Sequence, residues 1–287
     1  MLVNNLVIVG VGLIGGSIGA AVRRRGVARC VRGLGRKPES LETAHRLGQI
    51  DEAHLEPTEA LRDADFVVVC TPVDHIAKQV LAYARLAPRG AVLTDAGSTK
   101  ALLVDEIESA VPDHVAFVGS HPLAGSEKRG PEHADAELFE GRWAILTPTP
   151  RTSGEALQRV RAFWQALGCK VREMSPAEHD QALALTSHLP HLLASALAGV
   201  IPPELAPLCA SGYRDTTRIA MGDAELWRAI FLHNRDATLA ALDRLEGRLG
   251  AFRAALEARD AATLERLLLE GKSLRQQVQF PGETRTT

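Results

Sequence analysis

The sequence is poor in cysteine and in aromatic residues, and it carries almost no net charge. Its four cysteines, Cys30, Cys70, Cys169 and Cys209, lie far apart and form no C-x-x-C pair. That spacing argues against a zinc site or a redox dithiol and fits reduced thiols in a cytoplasmic protein. Aromatic residues make up 4% of the chain and the formal net charge is -2, which leaves neither a basic surface nor a supply of rings for nucleic acid. Long apolar spans are also missing. Residues 1–22 and 181–203 hold no Asp, Glu, Lys or Arg, but the first has five glycines between Gly10 and Gly19 and no basic leader segment. The second is broken by histidines, hydroxyl residues and three prolines. Both are expected to be buried in protein and not in a membrane.

What is present is a soluble-globular balance, with 46% hydrophobic and 24% charged residues. Short β-rich apolar runs ("LVIVG", "VRGLG", "DFVVVCTP", "AVLTDAGS", "HVAFVGS", "WAILTP") alternate with amphipathic helical patterns such as "DHIAKQVLAYARL" and "GEALQRVRAFWQALG". "KVREMSP" is read as one further strand. Nearly continuous apolar strands alternating with helices predict a parallel sheet covered on both faces. The expected architecture is therefore a Rossmann-type, doubly wound α/β domain over residues 1–174. From Ser175 the pattern becomes helical. Ser175, Pro176 and Glu178 form a capping-box start, and Leu242, Leu245, Leu249, Phe252 and Leu256 recur at helical spacing. Residues 175–280 are expected to form an all-α domain and residues 281–287 a flexible tail.

Gly10-x-Gly12-x-x-Gly15 lies between the first strand and the first helix, the context a dinucleotide fingerprint requires. Gly10 permits the tight turn, Gly12 lets the main chain approach a pyrophosphate, and Gly15 lets helix pack on strand. The helix is expected from about Ile14 to Arg25, and Leu13 and Ile14 at its N-terminus are assigned to the cofactor, whose phosphates that end suits. NAD binders place a carboxylate at the end of the second strand, whereas here Arg36 stands there, with Lys37 and Ser40 beside it. A guanidinium at that point suits a 2′-phosphate, so NADP is favoured over NAD.

Ligands in such a sheet bind beyond the carboxyl ends of the strands. Three loops leave those ends with useful chemistry: "CTPVD", whose Thr71 and Pro72 are assigned to the cofactor, "DAGSTK" with Ser98, and "GSHPLAGSE" with His121. An imidazole titrates near neutrality and can take a proton from an alcohol as hydride departs, while a serine hydroxyl can bond the same oxygen. His188 and His191 could pair on one helix face, but no third ligand or H-E-x-x-H glutamate accompanies them and no metal is expected.

Together, "GVGLIGGSIG", "DAGSTK", "SHPLAGSE", "SHLPH" and "RDTTRIA" resemble, in order and spacing, the prephenate/arogenate dehydrogenases of tyrosine biosynthesis, over about residues 5–275. The resemblance implies an NAD(P)-dependent oxidative decarboxylation, with His121 as the catalytic histidine and Ser98 orienting it and the ring hydroxyl. It implies that Arg218 holds the ring carboxylate, that His191 lines the substrate pocket, and that Glu127 belongs to a gating or polar network. Arg214, where family members often carry lysine, is placed at the substrate site too. The resemblance further implies a homodimer formed through the helical domain. Other two-domain dehydrogenases, of the β-hydroxyacid or pyrroline-carboxylate type, and a non-catalytic dinucleotide sensor share the glycine motif, but would not be expected to combine it with these later motifs.

Overall fold

The computed structural model describes residues 1–126 and 128–278. These fall into two compact units, one running from Met1 to Arg235 and a second beginning at Asp236. Strands β1 (Val3–Val9), β2 (Ala28–Leu34), β3 (Glu52–His54), β4 (Phe66–Val69), β5 (Val92–Asp95), β6 (Ala116–Pro122), β7 (Trp143–Thr147) and β8 (Lys170–Glu173) make one sheet. Helices α1 (Leu13–Arg25), α2 (Pro38–Arg46), α3 (Pro57–Leu61), α4 (Val73–Ala84), α5 (Ala101–Ala110) and α6 (Gly154–Ala166) lie between them. The order is β3-β2-β1-β4-β5-β6-β7-β8, with β1 to β6 parallel.

Two features depart from the expected parallel sheet. β7 runs antiparallel to β6, pairing His121 with Ile145 and Pro122 with Ala144, and β8 then runs parallel to β7. Among the described residues of the β6–β7 connection there is a 3-10 turn at Pro131–His133 and no crossover helix, and β7 returns along its neighbour. β3 was not expected at all, because Glu-Ala-His has no apolar run; its pairing to β2 comes from the sheet edge and not from its own sequence.

Side-chain alternation explains why the strands are apolar throughout. On β1, Leu6 and Ile8 enter the core on one face, while Val7 and Val9 enter the core on the other. On β4, Phe66 and Val68 oppose Val67 and Val69 in the same way. Each such fully buried aliphatic side chain is worth about 1.5–3 kcal/mol relative to exposure.

Helices α7 (Pro176–Leu183), α8 (Leu189–Ala198), α9 (Ser211–Thr217) and α10 (Ala224–His233) belong to the same unit as the sheet. The capping box at α7 is formed as expected: Ser175 Oγ accepts from Glu178 N at 3.2 Å and Glu178 Oε2 accepts from Ser175 N at 2.7 Å. Between α7 and α8 the helix widens into a π turn over Ala184–His188. Pro190, two residues on, supplies no amide and its ring would crowd the carbonyl of Thr186, so an ordinary helical turn is disfavoured there. In the uncharged segment 181–203 only Leu183, Ala184, His188, His191 and Ala194 are buried, so it is a partly exposed, largely helical region and not the wholly buried one expected. The second unit contains α11 (Arg235–Glu257) from its second residue and α12 (Ala261–Gln277), linked by Arg248 Nη1 to Glu270 at 2.6 Å. Among the described residues no helix is long and apolar enough to cross a membrane. The tail 281–287 lies outside the described residues.

Candidate active site

The turn after β1 has the geometry a dinucleotide needs. Gly10 has φ +86°, a left-handed conformation, and a Cβ there would stand 2.9 Å from Thr71 Cγ2. Gly15 is buried against the strand, with its missing Cβ 2.2 Å from the Gly10 carbonyl oxygen. At Gly12, which precedes the first helical residue Leu13, a Cβ would meet open space. The first and third glycines are therefore required by the protein itself, and the second faces room that a ligand can fill. Leu13 and Ile14 form the first turn of α1 and are half-buried.

That room is a cavity of about 570 Å³, a normal size for a ligand site. Gly10, Gly12, Arg36, Lys37, Ser40, Thr71 and Pro72 all line it, whereas the candidates Leu13, Ile14 and Gly15 are not among its lining residues. Arg129 and Glu132, from the β6–β7 loop, line it as well, and sequence reasoning did not find them. Among the described lining residues the charged ones are Arg36, Lys37, Arg129 and Glu132, and Arg129 is ion-paired with Asp223, which leaves Arg36 and Lys37 as the cation excess. The positive end of α1 and this cation excess fit the phosphates of a dinucleotide.

The second group gathers at the ends of β5 and β6. His121 is the penultimate residue of β6 and is half-buried. Its Nδ1 lies 2.9 Å from Nε2 of His179 on α7, and His179 Nδ1 lies 2.8 Å from Oδ1 of Asp180. Both Asp180 oxygens also accept backbone amides at the start of α5, Lys100 N to Oδ1 and Ala101 N to Oδ2, each at 2.8 Å. Below this lies an ion pair with no exposure on either side, Lys100 Nζ with Asp95 Oδ2. Asp95 further accepts Gly97 N at 2.8 Å and Ser120 N at 3.0 Å, which locks the β5 loop to the strand bearing His121. Ser120 Oγ accepts Trp164 Nε1 at 3.0 Å.

Burial pushes the His121 imidazole well below its ordinary value of 6.5, and the nearby His179, Lys100 and His188 push the same way. His179 is lowered too, chiefly by burial, with Asp180 opposing. Both rings are therefore neutral near pH 7. Ser98 sits half-buried in the β5 loop. The orienting contact that the resemblance assigned to Ser98 is made in this structure by His179, which occupies His121 Nδ1.

The remaining candidates lie on the helical side. His191 is buried on α8 and stacks on Trp227 of α10, with ring centroids 3.6 Å apart at 12°. Gly222 brings the Arg218–Met221 turn against this stack, since a Cβ on it would stand 2.8 Å from both His191 Cε1 and Trp227 Nε1. Arg218 itself is exposed at the head of that turn. Arg214 is also exposed, and its Nε donates to the adjacent Asp215 at 2.9 Å, so it is turned to a local partner. His188 and His191 do not converge: His188 Nδ1 meets Asn234 Nδ2 at 3.1 Å, and burial lowers His188 to about 4. Glu127 lies outside the described residues. Sequence reasoning missed Asp95, Lys100, His179, Asp180 and Trp227. The legible signal was polar residues at His179 and Asp180 on the same helical stripe as buried Leu183 and Ala184.

Comparison with known proteins agrees with this geometry. Residues 18–173 match the prephenate dehydrogenase nucleotide-binding domain, and residues 175–270 match the prephenate dehydrogenase dimerization domain. The chain belongs to the prephenate dehydrogenase family. It is 32% identical to prephenate dehydrogenase of Bacillus subtilis over 95% of this chain and 75% of that protein. It is also 32% identical to cyclohexadienyl dehydrogenase of Zymomonas mobilis, over 89% of each. Among solved structures it resembles the prephenate dehydrogenase of Aquifex aeolicus in complex with hydroxyphenyl propionate and NAD+, with 35% identity, a TM-score of 0.91, and coverage of 96% of this chain and 98% of that one. Like its family, this chain is an NAD(P)-dependent oxidoreductase, with the helical region that family members use for dimerization.

Proposed function

We propose that this enzyme carries out the NAD(P)-dependent oxidative decarboxylation of prephenate to 4-hydroxyphenylpyruvate, of arogenate to tyrosine, or of both. The observation that carries the assignment to these residues is a half-buried imidazole at the end of β6, backed at Nδ1 by His179, on the same carboxyl edge of the parallel strands as the glycine turn that lines the cavity. Gly10, Gly12, Gly15 and the start of α1 with Leu13 and Ile14 cradle the pyrophosphate, and Thr71 and Pro72 border it. A nicotinamide bound at this edge supplies the hydride acceptor. His121 takes the proton of the ring hydroxyl through Nε2, the nitrogen not engaged by His179, while Ser98 bonds the hydroxyl oxygen from the neighbouring loop. Arg218 grips the ring carboxylate, and the His191–Trp227 stack walls the ring. When the carbinol carbon has lost its hydride, the C–CO2 bond breaks, its electron pair enters the ring, and His121 returns the proton to the phenol oxygen. Aromatisation drives the step.

NADP is favoured over NAD, because Arg36 lines the cavity with Lys37 and Ser40 and the second strand ends without a carboxylate. The enzyme works as a cytoplasmic homodimer, divided in function near residue 175 into a nucleotide-binding part and a substrate and dimerisation part. Exposed leucines on α11 and α12 (Leu239, Leu249, Leu256, Leu268, Leu274) support the dimer, since a monomer would leave them in water. Glu127 and Arg214 remain assigned to the substrate side. Steady-state rates with prephenate and arogenate, each against NAD and NADP, test the reading. Turnover of either substrate is expected, with the lower KM for NADP. Absence of turnover with all four pairs overturns the assignment, and a large preference for NAD overturns the role of Arg36.

A further inference from the structure

The base in this site has two ring nitrogens, and the reaction needs one of them bare. We infer that His179 and Asp180 form a positioning pair that fixes the proton of His121 on Nδ1 and leaves Nε2 as the working base. The inference rests on the reading of His121 as base and deepens it.

The row of contacts begins at Asp180. Its carboxylate accepts two backbone amides at the first turn of α5, at 2.8 Å each, and offers His179 only acceptor atoms. The 2.8 Å contact between Asp180 Oδ1 and His179 Nδ1 therefore requires the proton on His179 Nδ1. A neutral His179 then presents a bare Nε2. The 2.9 Å contact to His121 Nδ1 also needs one proton, and only His121 can provide it. A neutral His121 with its proton on Nδ1 has its lone pair on Nε2. Every proton in the row is assigned by the one residue that cannot donate.

The surroundings hold this arrangement in place. His179 and Asp180 are buried, with exposures of 0% and 3%, and Asn234 Nδ2 donates to the Asp180 carbonyl at 2.8 Å. The charged and titratable groups facing the two rings are Asp180 from α7, Lys100 at the start of α5, Asp95 from β5 and His188 from the π turn. Lys100 and His188 disfavour a second positive charge on the rings, whereas Asp180 and Asp95 favour one on His179. Burial outweighs these charges and holds both rings toward the neutral form, the state the proton assignment requires. Asp180 also joins the pair to the loop that carries Ser98, so the orientation of the base and the position of that loop are set together.

The test uses the full-length enzyme labelled with 15N in its histidine rings. The His121 signals are identified by their loss in His121→Asn, and their shifts report which nitrogen holds the proton. Protonation at Nδ1 is expected in the wild type, and protonation at Nε2 overturns the proposal whether or not any variant folds. In Asp180→Asn, the side-chain amide can donate to His179, reverse the row and move the His121 proton to Nε2. The variant is expected to lose about 100-fold or more in kcat with little change in KM, within the range that general base catalysis supplies. His179→Leu, which removes the acceptor, is expected to lose a similar amount. His179→Gln, which can donate to Asp180 and accept from His121, is expected to recover most of it. Full kcat in His179→Leu overturns the proposal. If the wild type turns over neither prephenate nor arogenate, the functional reading fails, while the ring-nitrogen measurement still decides the proton assignment.

Discussion

At the end of β1 the site is made of main chain: a left-handed turn, missing side chains, and the amides of α1. Two strands away, at the ends of β5 and β6, it is made of side chains packed out of water, with Asp95, Lys100, Asp180, His179 and His121 each engaged by another. The first kind of site tolerates change wherever a side chain can point into solvent and fails where a Cβ meets backbone. The second fails whenever one partner is removed, because a buried group left alone bears its full desolvation cost. Binding and chemistry therefore have different sensitivities within a single sheet edge.

The largest expected effect belongs to the side-chain corner. His121→Asn should lower kcat by about 100- to 10,000-fold with KM nearly unchanged, the range general base catalysis supplies. Near-normal turnover would remove the distinction between the two regions. Next, Lys100→Met leaves the Asp95 carboxylate buried without its cation and should cost about 3–5 kcal/mol in denaturant unfolding. A cost under about 1 kcal/mol would show that the pair is replaceable. Gly15→Ala should cost about 1–3 kcal/mol through overpacking, since its Cβ would meet the Gly10 carbonyl at 2.2 Å, and should weaken dinucleotide binding, as titration calorimetry would show. Arg218→Ala should raise KM for the substrate about 10- to 100-fold by loss of a charge-assisted contact, with a smaller change in kcat. If kcat falls and KM does not, the arginine acts on the transition state instead of on binding.

The smallest effect is a graded one with pH. His121, His179 and His188 are all lowered by burial, His188 from its ordinary 6.5 to about 4. In the folded state they resist protons that the unfolded chain accepts, so the unfolded state binds more protons between these values. Their share of stability is present above about 6.5 and is lost as pH falls toward about 4. Denaturation midpoints at pH 7, 5.5 and 4.5 should decline in that order, and a flat series would contradict the burial of these rings.

The main-chain region could be read in the sequence because its determinants are neighbours: glycines at fixed steps between an apolar run and a helix. His121 was legible for a similar reason, since a strand end followed by Pro122 and small residues is a local pattern. His179 was not, because it meets His121 across 58 positions and its helix shows only that a polar residue occupies a buried stripe. Orientation escaped as well. "WAILT" looks the same in either direction, and only its pairing with β6 makes it antiparallel. The short strand β3 is held by its partner and has no apolar signature of its own.

The widened turn at Ala184–His188 has a consequence for how this site can change. A π turn is an ordinary helix carrying one surplus residue, tolerated here beside Pro190. Excising one position from that stretch would restore regular winding and leave α8 in phase, because the widened turn already absorbs the surplus residue. One further inserted residue would instead swing everything downstream by about 100° around the axis. His191 would then leave the face of Trp227, and the ring wall would open without any residue of that wall having been replaced. Growth of this short stretch is thus under as tight a constraint as side-chain identity.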